Sequence, residues 1–360
     1  MTTIRTRSDR TSPDAAVVPS QRADAPGAPA SPARREALAA IGAAGLVAGA
    51  PGLLSAQTRA ADAWPSRPVK FLCPFSAGGA TDILSRLYCE RMSAATGQQF
   101  VVENRTGAGG TVAMTALAKA APDGYTIGMT NIATNVNAKA LFATLPYDMA
   151  ADFTPVSGLW RLPNLLVISP KLTVKSVPEL IELCRANPGR HTFASSGIGT
   201  TTHISGELFR QLAGLDIRHV PYRGGAPATV DLMGGIVDMY FDNITGTLQQ
   251  VKDGRLRGLA VTTAQRSPVL PDLPAMGEIL PGFDVTSWTS VSGPAGLSPA
   301  VVQRMSEVTL SVLRNPDVER RMAELGATAF PTTPAEIGAY RAAEEARLLP
   351  VLRQMGIKPE

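Results

Sequence analysis

The sequence predicts an α/β protein whose body consists of two linked domains. Short apolar runs alternate with amphipathic segments along most of the chain, which is typical of parallel strands covered by helices. A strand, a glycine-rich turn and a helix follow one another twice, around Gly78 and around Gly197. The 360 residues exceed what one small core needs, and 44% hydrophobic against 18% charged residues exclude a wholly disordered or coiled-coil chain.

Charge and cysteine content exclude several classes of function. Seven of the 34 basic and five of the 30 acidic residues precede Trp64, so 27 basic and 25 acidic residues remain in the body. A body so close to neutral lacks the basic surface that nucleic-acid binding requires. Three cysteines and three histidines without CxxC or HxxxH spacing predict buried thiols, and neither a disulfide framework nor a metal site. We expect no metal and no cofactor.

Residues 1–63 have the layout of an export signal. The first 33 residues contain five prolines and no aromatic residue, and Arg34-Arg35 precede an uncharged run from Ala37 to Ala56. Because this run is rich in Gly and Ala, cleavage near Ala63 is favoured over a permanent membrane anchor. The paired arginines match a twin-arginine signal in part, which leaves the export route open. Both routes lead to the periplasm of a bacterium or beyond it.

The first strand–turn–helix unit opens the body. Val69–Cys73 is an apolar run short enough for a strand, and the glycine-rich turn Pro74–Gly79 follows it. Thr81 and Asp82 favour the start of a helix, and Gly97 favours its end. The sequence therefore predicts that the turn leads directly into a helix.

The second unit repeats this plan, with His191–Ala194 as the strand, Ser195–Thr200 as the turn and a helix that starts near Thr201–His203 and stops at Gly214. A glycine turn leaves the first N–H groups of the following helix unpaired beside the positive end of its dipole, where anions bind. Two such units facing each other predict one small anion held from both sides. The alternative is that both are ordinary turns, because any parallel α/β fold needs glycine there.

The other predicted elements continue the alternation and end in a helical tail. Ligands are expected at the carboxyl ends of the strands, and the tail must pack against one of the two sheets. The other predicted strands are Phe100–Glu103, Tyr125–Thr130, Leu165–Ser169, Ile217–Val220, Val237–Asp242 and Leu256–Thr262. The other predicted helices are Thr111–Ala120, Val177–Ala186, Ala226–Met233, Thr245–Lys252, Pro299–Leu313, Pro316–Leu325 and Pro334–Met355.

Enzyme motifs are incomplete. The glycines at 107–110 and 197–199 lack the last glycine of a dinucleotide-binding fingerprint, and a P-loop is missing. Gly-x-Ser-x-Gly does not occur around Ser195 or Ser196, which disfavours a serine hydrolase. His203 follows the second turn and either contacts a ligand or supports the turn. His191 and His219 are interpreted as structural or surface residues.

Several motifs, in their order along the chain, point to one family. They are Pro74–Asp82, Glu103–Gly110, Leu145–Asp148, Ser195–Thr200 with His203, Val220–Gly225 and Asp231–Gly235. The chain resembles the substrate-binding receptors of the tripartite tricarboxylate transporter family, the Bug-type periplasmic solute-binding proteins. The similarity runs from about Trp64 to Met355.

The resemblance implies a periplasmic-binding-protein fold, with two α/β lobes joined by two crossover strands and the ligand cleft between them. Lobe 1 is then discontinuous, residues 64–164 and 289–360, and lobe 2 is residues 165–288. The crossings are expected near Leu162–Val167 and Val285–Val291. The helical tail thereby returns to lobe 1.

The resemblance also implies that the turns of both lobes, with ordered water, hold a ligand carboxylate, and it implies no catalytic residue. The matching positions in lobe 1 are Phe75, Ser76, Ala77, Gly78, Gly79, Thr81 and Asp82. Those in lobe 2 are Ser195, Ser196, Gly197, Gly199, Thr200 and His203, with Tyr222 and Asp242 as further candidates. The segment Thr130–Asn137 departs from the family pattern, and its three asparagines either face the ligand or cap a turn.

We therefore expect a monomeric periplasmic receptor that captures a small organic acid and presents it to the membrane permease subunits of a tripartite tricarboxylate-type transporter. A di- or tricarboxylate, an acidic amino acid and an aromatic acid all fit this description. One alternative is an enzyme acting on a carboxylate, which the missing nucleophile, base and orienting group disfavour. The other alternative is a sensor that docks on a membrane signalling protein.

Overall fold

The computed structural model describes residues 64–355. The predicted export signal and its cleavage site near Ala63 lie outside the described residues. The strands are β1 Val69–Cys73, β2 Phe100–Asn104, β3 Thr126–Asn131, β4 Phe153–Ile168, β5 Thr192–Ser195, β6 Arg218–Pro221, β7 Met239–Asn243, β8 Arg257–Val261, β9 Thr286–Pro294 and β10 Thr328–Ala329.

The α-helices cover the faces and the tail of the described chain. They are α1 Ala80–Thr96, α2 Thr111–Ala118, α3 Ala138–Leu141, α4 Val177–Ala186, α5 Thr201–Leu212, α6 Gly225–Gly234, α7 Ile244–Lys252, α8 Met276–Ile279, α9 Pro299–Leu313, α10 Pro316–Glu324 and α11 Pro334–Gln354. The predicted bounds of α4 and α9 are confirmed, and α5 begins in the predicted region and ends at Leu212, just before the predicted stop at Gly214. Within residues 64–355 no helix has both the length and the apolar character of a membrane span.

The strands follow one path, β2-β1-β3-β9-β4-β7-β5-β6, with β8 and β10 attached to β4. The long strand β4 divides this path into two sheets. The first sheet contains β1, β2, β3, β9, β10 and Phe153–Pro163 of β4. The second sheet contains β5, β6, β7, β8 and Asn164–Ile168 of β4.

The prediction of parallel sheets is right for part of each sheet and wrong for the strands that connect them. β1 is parallel to β2 and β3, and β5 is parallel to β6 and β7. β4 is antiparallel to β7, β8 and β9, and β9 is antiparallel to β3. A strand–helix–strand crossover predicts only parallel pairs, because it returns the chain in the same direction.

β4 is longer than the sequence pattern predicts. The sequence predicts a strand over Leu165–Ser169, whereas β4 begins at Phe153. Pro155 and Pro163 interrupt the strand pattern, since proline cannot donate a ladder hydrogen bond. The register of β4 against β9 also shifts beside Pro155 and again beside Gly158. Proline and bulges thus hide the first two thirds of the strand.

The two sheets are connected at adjacent positions. β4 pairs with β9 up to Pro163 and with β7 from Asn164 onward. The N–H of Val285 donates to the carbonyl of Thr262 in the second sheet, and Thr286 then begins β9 in the first sheet. These positions lie within the expected crossing regions. The exact lobe boundaries, 64–164 with 289–360 and 165–288, stay a prediction.

The helical tail packs mainly against the first sheet and its helices. Tyr88 on α1 hydrogen-bonds Thr309 on α9 at 2.8 Å between the two hydroxyl oxygens. Ile337 on α11 is buried beside Trp288 of β9. The tail also contacts the second sheet's side, since the Thr245 hydroxyl donates to a carbonyl at the end of α10. The three cysteines, Cys73, Cys89 and Cys184, are buried free thiols, as predicted.

Candidate functional site

A small cavity lies between the two sheets, where the carboxyl ends of β1, β3, β5 and β7 converge. Its volume is about 20 Å³, enough for about one water molecule. An organic acid therefore needs the two sides of the cleft to separate before it enters. The lining residues are Phe75, Ala80, Thr81, Asn131, Ile132, Ser196, Thr200, Thr201, Thr202, Gly225, Asp242, Asn243 and Ser287.

Four helices begin at this cavity. α1 starts at Ala80, α5 at Thr201, α6 at Gly225, and α7 directly after Asn243. In α1, α6 and α7, no N-cap side chain accepts a hydrogen bond from the backbone N–H groups of the first turn. Each helix N-terminus carries about +0.5 charge, and none of the lining residues is Lys, Arg or His. The cavity thus favours an anionic group without using a cationic side chain.

The first turn is held by Asp82. Its carboxylate accepts hydrogen bonds from the Gly78 N–H, Arg86 Nε and Asn104 Nδ2, each at 2.9 Å. Burial alone raises the pKa of Asp82, but these three donors outweigh it and the pKa lies below its ordinary value. Asp82 therefore positions the turn, and it does not line the cavity. A direct ligand contact by Asp82 stays a prediction.

The rest of the first turn faces the second sheet's side of the cleft. Ala77 and Gly78 are exposed, whereas Gly79 is buried. A Cβ on Gly79 would lie 3.5 Å from the backbone nitrogens of Gly225 and Ala226, which shows how closely the two sides approach. The hydroxyl of Ser76 is buried without a hydrogen-bond partner and packs against Gly224.

The second turn uses most of its backbone amides internally. The Ser196 N–H donates to Thr202 Oγ1 at 2.8 Å, and the Gly197 N–H donates to Ser195 Oγ at 3.2 Å. The Thr200 hydroxyl donates to the Gly197 carbonyl at 2.6 Å and caps α5. The groups of this turn that face the cavity are therefore the hydroxyls and the first amides of α5, rather than the amides of the turn itself.

His203 supports the second turn. Its Nδ1 accepts a hydrogen bond from the Gly199 N–H at 3.3 Å, and its ring stacks on His219 with 4.1 Å between ring centroids. Burial lowers the pKa of His203 to about 4. Burial and the neighbouring His203 lower the pKa of His219 to about 3, so both rings are neutral near pH 7. Since His203 does not line the cavity, its position favours turn support over ligand contact.

Ser195 and His219 form a close pair, with 2.6 Å between Ser195 Oγ and His219 Nε2. A serine nucleophile needs exposure and a base of suitable pKa. Ser195 is fully buried, its hydroxyl also accepts from Gly197, and the lowered pKa makes His219 a weak base. The pair therefore stabilises the turn. His219, interpreted from the sequence as a structural or surface residue, is half-buried in this cluster.

Five of the fifteen predicted site residues line the cavity: Phe75, Thr81, Ser196, Thr200 and Asp242. The other predicted residues lie in the two turns or, for Asp82 and His203, on the first turn of the helices that follow them. Tyr222 is the exception, since its hydroxyl donates to Asp231 Oδ2 at 2.6 Å outside the cavity. Gly224-Gly225 precede α6 just as glycines precede α1 and α5. The sequence pattern alone could therefore have predicted Gly225 as a site residue. Ser287 carries no local signal.

The asparagine segment lines the cavity and also supports a turn, and a contact of its asparagines with a ligand stays a prediction. Asn131 lines the cavity, and its Oδ1 also accepts from the Thr134 N–H at 3.1 Å, which caps a π-helical turn over Ala133–Asn137. Asn137 reaches across the cleft, where its Nδ2 donates to the Gly199 carbonyl at 2.7 Å. A further contact joins Gly109 to the Ile198 carbonyl. The cleft is thus closed in this structure.

The comparisons with known proteins decide the family. The family model described as "Tripartite tricarboxylate transporter family receptor" matches residues 84–357. The chain belongs to this family. The receptor is 35% identical to the protein BugT of Bordetella pertussis over 300 residues, which are 83% of this chain and 92% of BugT. Among the residues that the structure describes, no cluster of three His, Cys, Asp or Glu side chains suits a metal ion.

Two solved structures resemble the receptor closely. R. palustris Rpa4515 with adipate superposes with a TM-score of 0.80 at 36% identity, over 82% of this chain and 100% of that chain. MatC from Rhodopseudomonas palustris with bound malate superposes with a TM-score of 0.76 at 33% identity, over 80% and 100%. These similarities confirm the periplasmic-binding-protein fold. The first sheet with its helices is lobe 1, and the second sheet with its helices is lobe 2.

Proposed function

We propose that the receptor captures a small organic carboxylate in the periplasm, between its two lobes, for uptake by a tripartite tricarboxylate-type transporter. The observation that carries this proposal is the convergence of four helix N-termini on a cavity without a cationic side chain. Helix N-termini bind carboxylates through their unpaired N–H groups and their dipoles. Adipate and malate in the two similar structures support the same ligand class.

One ligand carboxylate lies, in this proposal, between the N-terminus of α1 in lobe 1 and that of α5 in lobe 2. Ala80 and Thr81 supply amides from one side, and Thr201 and Thr202 supply them from the other. Because the two lobes share the bonds to one anion, the ligand stabilises the closed form more than the open form. The ligand must enter an open form, and the residues that line the cavity must make room for it as the lobes close, since the cavity of this structure holds about one water molecule.

The lobe boundaries, the export signal and the transporter partner belong to the same proposal. The two lobes move about the two crossings. One lobe consists of residues 64–164 with 289–360, and the other of residues 165–288. The signal in residues 1–63 directs export and is removed near Ala63. The monomeric closed receptor then docks on membrane permease subunits. We infer no catalytic role for the Ser195–His219 pair, because it is buried and used for turn support.

Thermal unfolding tests the ligand class directly. The receptor, purified from the periplasm of its host, is heated with a panel of di- and tricarboxylates, acidic amino acids and aromatic acids. A ligand at 100 times its Kd stabilises the folded state by about 2.7 kcal/mol, which corresponds to a rise in Tm of about 4 °C for a body of about 300 residues. The diamide of each effective acid is the matched control, and we expect no rise with it.

Three outcomes contradict the proposal in different ways. An unchanged Tm with every acid would exclude a carboxylate as the ligand. Equal shifts in Tm with an acid and its diamide would exclude the helix N-termini as an anion-binding site. Conversion of a bound acid to a product makes the protein an enzyme. Capture of a signalling protein instead of a permease, by the acid-loaded receptor, favours the sensor role.

A further inference from the structure

Asp242 is the ionisable side chain of the cavity. No other lining residue among those the structure describes can carry a charge. Asp242 lies on β7 opposite Leu165 of β4 and is 1% exposed. Its Oδ2 atom is enclosed without a hydrogen-bond partner and packs against Gly246 of α7. A buried carboxylate thus lies inside a cavity built for anions.

The elements around Asp242 provide no cation. Its own strand contributes Tyr240, whose hydroxyl is 2.5 Å from Ser196 Oγ of the second turn. A Cβ on Gly225 at the start of α6 would lie 3.1 Å from Asp242 Oδ1. α7 contributes Thr247 and Gly246, and β4 contributes Leu165. Tyr240 is the one titratable neighbour, and its burial raises the pKa of the phenol, which keeps it neutral.

The charges in the cleft limit what Asp242 can do when a diacid binds. Four helix N-termini supply about +2 in total, at about +0.5 each. A doubly ionised dicarboxylate brings two negative charges and balances them. An ionised Asp242 would add a third negative charge in a site of low dielectric, where an unpaired charge is costly. A proton on Asp242 removes that charge and turns the side chain into a hydrogen-bond donor.

We propose that the receptor binds dicarboxylates together with one proton, and that this proton lies on Asp242 and is donated in a hydrogen bond to the ligand's second carboxylate. In the binding step, the ionised receptor, one solvent proton and the dianion combine to a complex in which only the Asp242 O–H bond is new. This inference rests on the proposed function and specifies its ligand class. It makes Asp242 the residue that selects a second carboxylate.

The burial of Asp242 brings protonation within reach near neutral pH. Burial raises the pKa of Asp242 to about 7, although the Tyr240 hydroxyl and the Asn243 amide partly oppose the rise. If only the protonated form binds, the apparent Kd increases as the pH passes through this pKa. The expected increase is about 50-fold between pH 7 and pH 9. His203 and His219, with pKa values of about 4 and about 3, do not titrate in this range.

Calorimetry tests the proton uptake. The linear dicarboxylate with the largest effect on Tm, chosen among those of four to eight carbons, is titrated into the receptor at pH 8 in buffers of different ionisation enthalpy. Its carboxyl groups are fully ionised there, so proton uptake reports on the protein. We expect about 0.9 proton per bound ligand at pH 8. The matched ligand control replaces one carboxylate by a hydroxymethyl group, which itself donates to ionised Asp242 and takes up no proton.

Asp242→Asn separates this inference from a structural role. Its amide donates at every pH, so the Kd of the variant should change less than threefold between pH 7 and pH 9, without proton uptake. Asp216→Asn, which alters an exposed acid of lobe 2, should keep the wild-type pH profile. A wild-type Kd that is constant from pH 7 to pH 9, or Asp242→Asn with a wild-type pH profile, overturns the inference. If no organic acid of the panel binds, the proposed function fails as well. If an acid binds but no dicarboxylate does, or if a dicarboxylate binds without a proton, only this inference fails.

Discussion

Gly109→Ala should weaken ligand binding by keeping the two lobes apart. Gly109 lies in lobe 1 with φ 60° and ψ 16°, and it does not line the cavity. A Cβ at this position would collide with the carbonyl oxygen of Ile198 in lobe 2. Because this obstacle is backbone rather than the end of a flexible side chain, the lobes themselves must separate. The atoms must move about 1 Å apart to reach ordinary van der Waals contact.

The expected loss of affinity follows from the hydrogen bonds that span the cleft. If the lobes part by about 1 Å, an amide–carboxylate bond of about 2.9 Å stretches beyond hydrogen-bond distance on one side of the ligand. A hydrogen bond to a charged group contributes about 1.5–3 kcal/mol, and every 1.4 kcal/mol changes Kd about tenfold. We therefore expect Gly109→Ala to raise the Kd of the best acid by about 10- to 100-fold, as measured by calorimetry.

Gly97→Ala is the matched control. Gly97 ends α1 in the same left-handed conformation, with φ 71° and ψ 6°, but nothing lies within 4 Å of its added Cβ. Both variants pay about 1 kcal/mol of backbone strain, so both should unfold at a similarly reduced Tm. Only Gly109→Ala should lose affinity. Equal Kd values for the two folded variants would refute the argument that contact between the turns limits closure.

Three further predictions follow from the titratable groups. Asp82→Asn should destabilise the receptor by about 1–2 kcal/mol at pH 7, measured as a lower Tm than that of the wild type. Because the folded pKa of Asp82 is lowered, the difference in Tm between the two proteins should shrink as the pH falls below about 4. A difference in Tm that stays constant with pH would argue against the three hydrogen bonds to the Asp82 carboxylate. Below pH 6.5, His203 and His219 bind protons in the unfolded chain, whereas burial keeps both rings neutral in the folded receptor. The free energy of unfolding, measured with urea, should therefore decrease from pH 6.5 to pH 5, by up to about 1.4 kcal/mol per pH unit for each histidine. His219→Gln should remove about half of that slope, and an unchanged slope would contradict it. Burial raises the pKa of Cys73 and of Cys184 to about 11. Neither thiol should therefore react with a thiol reagent in the folded receptor at pH 8. Rapid labelling would show instead that these thiols are accessible.

The Asp242 inference and the Gly109 prediction address different steps. Gly109→Ala changes how far the lobes close, whereas Asp242→Asn changes which charge the closed site accepts. The two positions lie in different lobes, so their effects on Kd should add if they act independently. A shared dependence on pH would instead show that closure itself carries the proton.

The local pattern of the sequence was sufficient for the helices and for the glycine turns. α4, α5 and α9 begin after capping residues such as Ser176, Thr200 and Ser298, whose side chains accept bonds from the first turn. Such caps act within a few residues of chain and are therefore visible without the fold. The same locality explains why both glycine turns were found, whereas the five predicted residues that line the cavity were named from the family resemblance.

Features that depend on residues distant in the chain were decided only by the tertiary structure. β4 is a strand because β7, β8 and β9 pair with it, although Pro155 and Pro163 argue against it locally. The amides of the second turn are used within the turn because Thr202 and His203 fold back onto it, which the glycine pattern does not reveal.

What the sequence by itself determined is the chemistry available: two glycine turns before helices, an almost neutral body and few histidines. What only the tertiary structure decided is how many helix N-termini meet and which side chain lies among them. Four N-termini and one aspartate come together because strands distant in the chain end at the same edge of the cleft. The burial that raises the pKa of Asp242 comes from those distant elements, so no local pattern could reveal it.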